Sequence, residues 1–241
     1  MTSPMVPRIS IVTVCLNSVA TLERTIESVH SQTYPNIEHI VIDGGSTDGT
    51  LDIIRRYEKH FASWTSEPDR GLYDAMNKGI ARASGEWIHL LNSDDAYADA
   101  TAVERVAPHL DEARTNYFRM FLHKTDGGAT IYDFPYRKWK LYVSAYLPHP
   151  AMVVSRRQYL EVGMYDLSYR IAADHHFTVR MVNRYPGKFV PEPFVVMSEG
   201  GVSSRNMLTA LKETREISVK FGLPSWLAAI LYYLKRVHWK V

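Results

Sequence analysis

The chain has 241 residues, 46% hydrophobic and 22% charged, which suits one medium-sized domain with a sizeable core. Its formal net charge of +2 gives no overall argument for binding nucleic acid. Cys15 is the single cysteine, which excludes an internal disulfide framework and favours a reducing compartment such as the cytoplasm.

Strand and helix patterns alternate through the first hundred residues. Strand-like runs end at Asn17, at Asp43, near residue 67 and just before Asp94. Helical patterns fill the intervals at residues 18–32, 46–60 and 72–84, with Ser18 expected to cap the first of them. This order predicts an α/β fold with βαβ units and a mainly parallel sheet flanked by helices.

The pattern changes after residue 114. Residues 115–134 predict a hairpin with Gly127 and Gly128 in its turn, and residues 170–185 predict a helix that ends before Pro186. A strand-like segment at 188–204 ends in a glycine-rich loop, and helices at 206–221 and 225–238 follow. We expect a main domain over residues 1–205, divided at 114, and a C-terminal helical tail over 206–241.

Polar residues gather where the predicted strands end. Asn17 follows the first strand, "DGGSTDGT" the second, "SEPDRG" the third and "NSDD" the fourth. Ligands of open α/β sheets bind beyond the carboxyl ends of the strands, so these segments predict one ligand cleft along one edge.

Two acidic loops each allow a plain and a functional interpretation. The Asp43 loop lacks the spacing of an EF-hand and of a dinucleotide fingerprint, so it is either an ordinary capped loop or a loop whose glycines let a ligand approach Asp43. Asp94 and Asp95 are either a solvated turn or ligands for a hard cation such as Mg²⁺ or Mn²⁺.

The second half offers further candidates. Asp174 lies among apolar residues, which predicts a raised pKa suited to proton abstraction, unless it is only a buried, hydrogen-bonded side chain. His149 stands between two prolines, typical of a rigid turn with a surface histidine, and residues 200–204 read as a mobile loop or an ordinary linker.

Together these stretches resemble the family 2 glycosyltransferases, which have the GT-A fold. The resemblance runs from residue 8 to about 205 through "ISIVTVCLN", "IEHIVIDGGSTDGT" and "SEPDRGLYDAMNKGIARASGEWIHLLNSDD". It implies inverting transfer of one sugar from a nucleotide-diphosphate sugar, with UDP-sugars favoured, using Mn²⁺ or Mg²⁺. Residues 8–114 would bind the donor and 115–205 would face the acceptor, as in bacterial enzymes of surface-polysaccharide and glycolipid assembly.

The resemblance also implies a role for individual residues. Asp174 would be the catalytic base, and Asp95 the principal metal ligand with Asp94 beside it at the ribose or phosphate. Nucleotide-sugar contacts would come from Val14, Asn17, Asp43, Arg70, Asp74 and Asp94. The acceptor and donor-sugar side would include His149, Gly201 and Ser203. A non-catalytic nucleotide-sugar-binding or scaffold protein of the same fold is the alternative function.

The tail at 224–241 combines aromatic residues with Lys235, Arg236 and Lys240. It predicts either an interfacial helix on anionic lipid or a helix packed on the domain or in a homodimer. Contact with a membrane would suit a lipid-linked saccharide as acceptor, with the protein peripheral on the inner, cytoplasmic face. No apolar run approaches the roughly 18 residues that a membrane span needs.

Overall fold

The computed structural model describes residues 6–124, 128–201 and 206–239. Its strands are β1 (Ile9–Cys15), β2 (Ile37–Asp43), β3 (Ser63–Ser66), β4 (Trp87–Asn92), β5 (Ala96–Tyr97), β6 (Thr115–His123), β7 (Ala129–Tyr132), β8 (Met152–Ser155) and β9 (Gly187–Ser198). Its helices are α1 (Leu22–His30), α2 (Thr50–Tyr57), α3 (Leu72–Arg82), α4 (Ala102–Val106), α5 (Lys138–Leu141), α6 (Arg156–Val162), α7 (Ala173–Arg184), α8 (Met207–Lys220) and α9 (Ser225–Trp239).

The strands form one sheet in the order β3-β2-β1-β4-β8-β6-β9-β5, with β7 paired to β6. β3, β2, β1 and β4 are parallel to one another, whereas β8 is antiparallel to both β4 and β6. The predicted fold class is confirmed: a mixed α/β sheet with flanking helices and two C-terminal helices. The predicted hairpin is the antiparallel β6–β7 pair, and Gly127 of its turn lies outside the described residues.

Alternate residues of the central strands face helices on opposite sides of the sheet. Val12 and Ile42 pack with α3 residues such as Met76, whereas Val41 packs with residues of α1 and α2. A strand with both faces covered needs a nearly continuous apolar run, which explains the composition of β1 and β2. The carboxyl ends of these strands therefore remain as the edge where polar loops emerge.

The sheet curls so that its far edge returns to the end of β4. β5 lies only a few residues after β4 along the chain, yet it pairs with β9, where Ala96 is opposite Val196. The end of β9 is thereby brought against the Asp94–Asp95 turn. Within the described part of the chain, no helix is long and apolar enough to cross a bilayer.

The predicted start of the first helix was wrong. The helix begins at Leu22, and Thr21, at the N-cap position just before it, makes no side-chain capping bond. Residues 18–21 form a turn in which the backbone N–H of Thr21 donates to the carbonyl of Ser18. Ser18 is therefore available for contacts with neighbouring loops.

Candidate active site

The loops after β1, β2 and β4 are hydrogen-bonded to one another. Asn17 has a left-handed backbone with φ of 50°, a conformation that asparagine tolerates better than most residues. Its backbone N–H donates to Ser46 Oγ at 2.7 Å, and its Oδ1 accepts from Thr47 N at 2.9 Å. Ser18 Oγ lies 2.8 Å from Ser93 Oγ, which links the first loop to the turn after β4. One connected rim therefore joins the strand ends.

Asp43 is fully buried at the end of β2. Its Oδ2 accepts from the backbone N–H groups of Gly45 and Ser46, each at 3.0 Å, and from Ser66 Oγ at 2.6 Å. Burial alone raises the pKa of Asp43, but the hydrogen bonds from Ser46 and Ser66 outweigh it and the pKa lies below its ordinary value. The carboxylate thus organises its own loop, and its expected contact with the nucleotide-sugar stays a prediction.

The donor-side residues after β3 form a second charged group. Asp74, at the start of α3, is nearly buried and accepts from Arg70 Nη2 at 3.0 Å, while the Arg70 side chain is 78% exposed. Gly44 lets the loop after β2 lie close to the loop after β3, because a Cβ at this position would be only 2.3 Å from Asp69 Oδ2. Val14 is buried in β1, and its carbonyl accepts from Ser93 N at 3.2 Å. Val14 thus positions the rim through its backbone.

The turn after β4 holds a carboxylate that lacks a complete set of partners. Asp95 is 1% exposed, and its Oδ1 accepts from Ser198 N at 3.3 Å. Its Oδ2 is buried and has no hydrogen-bond partner among the described residues. Burial, and then the charge of Asp94, raise the pKa of Asp95 well above its ordinary value. Asn92 Oδ1 is likewise buried without a partner. Such atoms are costly unless something satisfies them.

A divalent cation fits this turn. The unpartnered Asp95 oxygen is a hard anionic donor, and Asp94 beside it is partly exposed. In the described part of the chain, no cluster of three or more His, Cys, Asp or Glu side chains could hold a metal by itself. Mg²⁺ and Mn²⁺ sites often use one or two carboxylates and leave other positions to substrate phosphates, so two carboxylates suffice.

Asp174 is half-buried at the start of α7. Its Oδ1 accepts from Tyr73 OH at 3.0 Å and from His175 N at 2.8 Å. Its Oδ2 lies 3.6 Å from His149 Nδ1. One oxygen is therefore held by the protein, and the other faces the side chain of His149.

The predicted direction of the Asp174 pKa was wrong. Burial does raise the pKa of Asp174, as its apolar neighbours led us to expect, but the nearby His149 ring and the backbone N–H of His175 together lower the pKa by more than burial raises it. The net pKa lies below the ordinary carboxyl value. Asp174 is thus held as an anion, ready to accept a proton.

His149 connects the two acidic regions. It begins a single 3₁₀ turn, His149–Ala151, beside the end of β4. Its Nε2 lies 3.2 Å from Asn92 Nδ2, on the strand that leads to Asp95, while its Nδ1 faces Asp174. The expected surface histidine is instead largely buried, with 12% of its side chain exposed. His149 therefore joins the Asp95 turn and Asp174 into one site.

The late glycine loop is only partly described. Gly201 follows β9 by a few residues, and no heavy atom of the described residues lies within 4 Å of where a Cβ would stand. Ser203 lies outside the described residues. The end of β9 does reach the site, because Ser198 Oγ donates to the carbonyl of Asp94 at 2.6 Å.

Glu213, in α8, is a positioning residue that the sequence pattern did not reveal. Its carboxylate accepts from three successive backbone N–H groups, those of Arg170, Ile171 and Ala172, at 2.8, 2.9 and 2.7 Å. These groups immediately precede α7, where the N–H groups lack helical partners. Glu213 thereby fixes the start of the helix that carries Asp174.

Replacing Glu213 by Ala should lower kcat roughly 10²-fold by displacing Asp174, because misplacement of about 1 Å can cost that much. The KM for the donor should change little. Glu213→Gln keeps an acceptor oxygen and should recover most of the rate. Glu216→Ala, on the exposed side of the same helix, is the matched control. Unchanged kcat in Glu213→Ala would exclude the positioning role.

Comparison with known proteins gives a consistent match. The model of "Glycosyl transferase family 2" matches residues 10–162. An uncharacterized glycosyltransferase of Mycobacterium tuberculosis is 39% identical over 180 residues, covering 72% of this chain and 68% of that protein. A PGL/p-HBAD biosynthesis glycosyltransferase of Mycobacterium bovis is 32% identical over 194 residues, covering 74% of this chain and 73% of that protein.

Solved structures share the fold at low identity. S. aureus TarS superposes with a TM-score of 0.69 at 16% identity, covering 93% of this chain but only 42% of that chain. A shorter TarS form has been solved in complex with UDP. The mannosyltransferase PcManGT of Pyrobaculum calidifontis, in complex with GDP-Man and Mn²⁺, gives 0.66 at 19% identity and covers 96% of this chain and 70% of its own.

Proposed function

Because the chain belongs to glycosyl transferase family 2, we propose that it moves one sugar from a nucleotide-diphosphate sugar to an acceptor hydroxyl with inversion at the anomeric carbon. UDP-sugars are the favoured donors, and the acceptor is a saccharide or a lipid-linked saccharide. Residues 8–114 bind the donor and residues 115–205 face the acceptor. The 32% identity to a PGL/p-HBAD biosynthesis glycosyltransferase supports a role in the biosynthesis of a glycosylated product.

The proposal rests chiefly on the connection between the Asp94–Asp95 turn and Asp174. Asn92 and Asp174 lie on either side of His149, at 3.2 and 3.6 Å from its two ring nitrogens. A diphosphate at the turn and an acceptor hydroxyl at Asp174 would then occupy one site. Inverting displacement needs this arrangement, with one base on the acceptor face.

Asp174 removes the proton of the acceptor hydroxyl while the oxygen of that hydroxyl forms a bond to the anomeric carbon. The bond from that carbon to the diphosphate oxygen breaks, and the electron pair leaves with the nucleoside diphosphate. Tyr73 holds Oδ1 of Asp174 by a hydrogen bond, and Oδ2, which faces His149 at 3.6 Å, accepts the proton. Arg70, with its exposed guanidinium, adds positive charge on the donor side.

A divalent cation, Mn²⁺ or Mg²⁺, fits the Asp95 and Asp94 carboxylates and would supply positive charge to the diphosphate leaving group. Asp95 contributes its buried Oδ2 to this role. Asn17 and Asp43 shape the neighbouring loops, and Val14 and Asp74 complete the donor side. His149 and Gly201 are proposed to contact the donor sugar and the acceptor, and the same role is proposed for Ser203 from the family resemblance alone.

A thermal-shift screen of UDP-, GDP- and dTDP-sugars with Mn²⁺ tests the donor assignment. A donor at about 100 times its Kd should stabilise the fold by about 2.7 kcal/mol, or roughly 5–10 °C in Tm for a domain of this size. Asp52 is an exposed carboxylate on α2, so the control variant Asp52→Asn should show the same donor-induced rise in Tm as the wild type.

The same screen can contradict the proposal in two ways. If no nucleotide-sugar shifts Tm, the donor assignment is wrong. If a donor binds but no sugar reaches any acceptor or water, the non-catalytic binding protein becomes the better interpretation. A UDP-sugar that binds and turns over supports the proposed transferase and its favoured donor class.

A further inference from the structure

The C-terminal helix α9 is anchored on one face and bare on the other. Ala228 and Tyr232 are buried, and Lys235 Nζ donates to the carbonyl of Val143. The opposite face carries five large hydrophobic side chains that are 48–78% exposed: Trp226, Ile230, Tyr233, Leu234 and Val237. Their three- and four-residue spacing places them in one stripe. The helix therefore packs on the domain, as one of the two expected arrangements has it, and its contact with a lipid surface stays a prediction.

A basic groove borders this stripe. The groove between α8 and α9 encloses about 750 Å³, and its cationic lining residues are Lys212, Arg215, Lys220 and Arg236. Tyr232 and Tyr233 also line it, and Glu216 is its acidic residue. After Glu216 the chain contains four basic residues and no acidic one. Positive charge therefore surrounds the exposed apolar face.

We propose that α8 and α9 form a docking surface for an anionic lipid bilayer. The apolar stripe of α9 enters the boundary between headgroups and acyl chains, while the basic groove contacts lipid phosphates. Apolar and aromatic residues beside a cationic cluster are the pattern of interfacial helices.

Charge favours a bilayer over a second copy of the chain. In a two-fold dimer the same patch meets itself, so the patch that carries Lys212, Arg215 and Lys220 would face a second patch of the same positive charge. Like charges brought together at an interface oppose association. An anionic membrane surface instead neutralises them.

The docking surface is joined to the candidate active site through α8. Glu213 of that helix holds the backbone N–H groups immediately before α7, and α7 carries Asp174. A membrane on this side would therefore lie next to the acceptor half. Docking itself does not depend on sugar transfer, because it is measured without donor or acceptor.

Vesicle flotation of the full chain tests the proposal directly. Vesicles of phosphatidylcholine mixed with phosphatidylglycerol should bind the protein, vesicles of phosphatidylcholine alone should bind it much less, and added NaCl should release it. The double variant Lys212→Glu, Arg215→Glu should lower the partition coefficient at least about tenfold, since each basic residue near such a surface is worth about fivefold. The variant Trp226→Ser, Val237→Ser should weaken binding to a similar extent.

Two variants elsewhere on the surface serve as controls. Leu160→Ser removes an apolar side chain that is 74% exposed on α6, and Lys59→Glu reverses an exposed charge after α2. Both should float with anionic vesicles like the wild type, and all variants should share its Tm. The proposal would be overturned if neutral vesicles bound the protein equally well, or if no vesicles bound it. It would also be overturned if the double variants at Lys212 and Arg215 and at Trp226 and Val237 bound like the wild type. A solution dimer that Trp226→Ser dissociates would overturn it as well.

Discussion

Asp174→Asn is expected to lower kcat by about 10²–10⁴ while donor affinity stays unchanged, because a general base usually contributes that much to the rate. The substitution keeps the shape of the side chain and its contacts with Tyr73 and His175, but removes the proton acceptor. Donor affinity is measured by calorimetry with Mn²⁺, and kcat by release of nucleoside diphosphate in the presence of acceptor. Asp52→Asn provides the matched loss of a carboxylate far from the site.

The pH dependence gives a second readout for the same residue. The pKa of Asp174 is lower than the ordinary value of 3.8, so the carboxylate stays ionised through neutral and moderately acidic pH. The wild-type kcat/KM should therefore show no loss attributable to this group until strongly acidic pH. A fully active Asp174→Asn enzyme would remove Asp174 from the mechanism.

Asp95→Asn is expected to change stability in opposite directions with and without metal. Without metal, the variant should be more stable by about 1–3 kcal/mol, because it removes a buried charge whose Oδ2 has no partner. For a chain of this length, that corresponds to a rise in Tm of several degrees. With Mn²⁺ and donor, the wild type should gain stability and the variant should not.

Donor affinity in Mn²⁺ should fall more than about 100-fold in Asp95→Asn, since even residues that only support a metal ligand cost 10–100-fold. Calorimetry with and without EDTA separates the metal contribution from direct nucleotide contacts. Asp52→Asn should change neither the metal-free Tm nor the metal effect. Retained metal-dependent donor binding in Asp95→Asn would exclude Asp95 as the metal ligand.

The sequence predicted the sheet and its polar edge well because both depend on local pattern. Period-two and helical spacing set the strands and helices, and each polar cluster immediately follows a strand. Asn17, Asp43 and the Asp94–Asp95 turn therefore fell on one rim, as their hydrogen-bonded loops show. Parallel pairing then brings these clusters together, because it places the carboxyl ends of neighbouring strands at the same edge of the sheet.

Contacts between distant segments could not be predicted in the same way. The apolar neighbours of Asp174 correctly indicated burial, but the opposing effect of His149 comes from another loop and reversed the direction of the pKa. Glu213 is an ordinary helical glutamate by composition, and its three backbone partners lie 41–43 residues earlier in the chain. Only the tertiary fold, which places α8 beside the residues before α7, brings Glu213 to these backbone groups.

The contact of Glu213 with the start of α7 has a consequence for engineering the protein. The family match ends at residue 162, so both Asp174 and the glutamate that holds its helix lie beyond it. Shortening the chain after β9, or grafting a relative's C-terminal helices onto it, would leave three N–H groups before α7 without their acceptor. Any exchange of the proposed acceptor half, residues 115–205, between relatives should therefore carry α8 of the same protein with it.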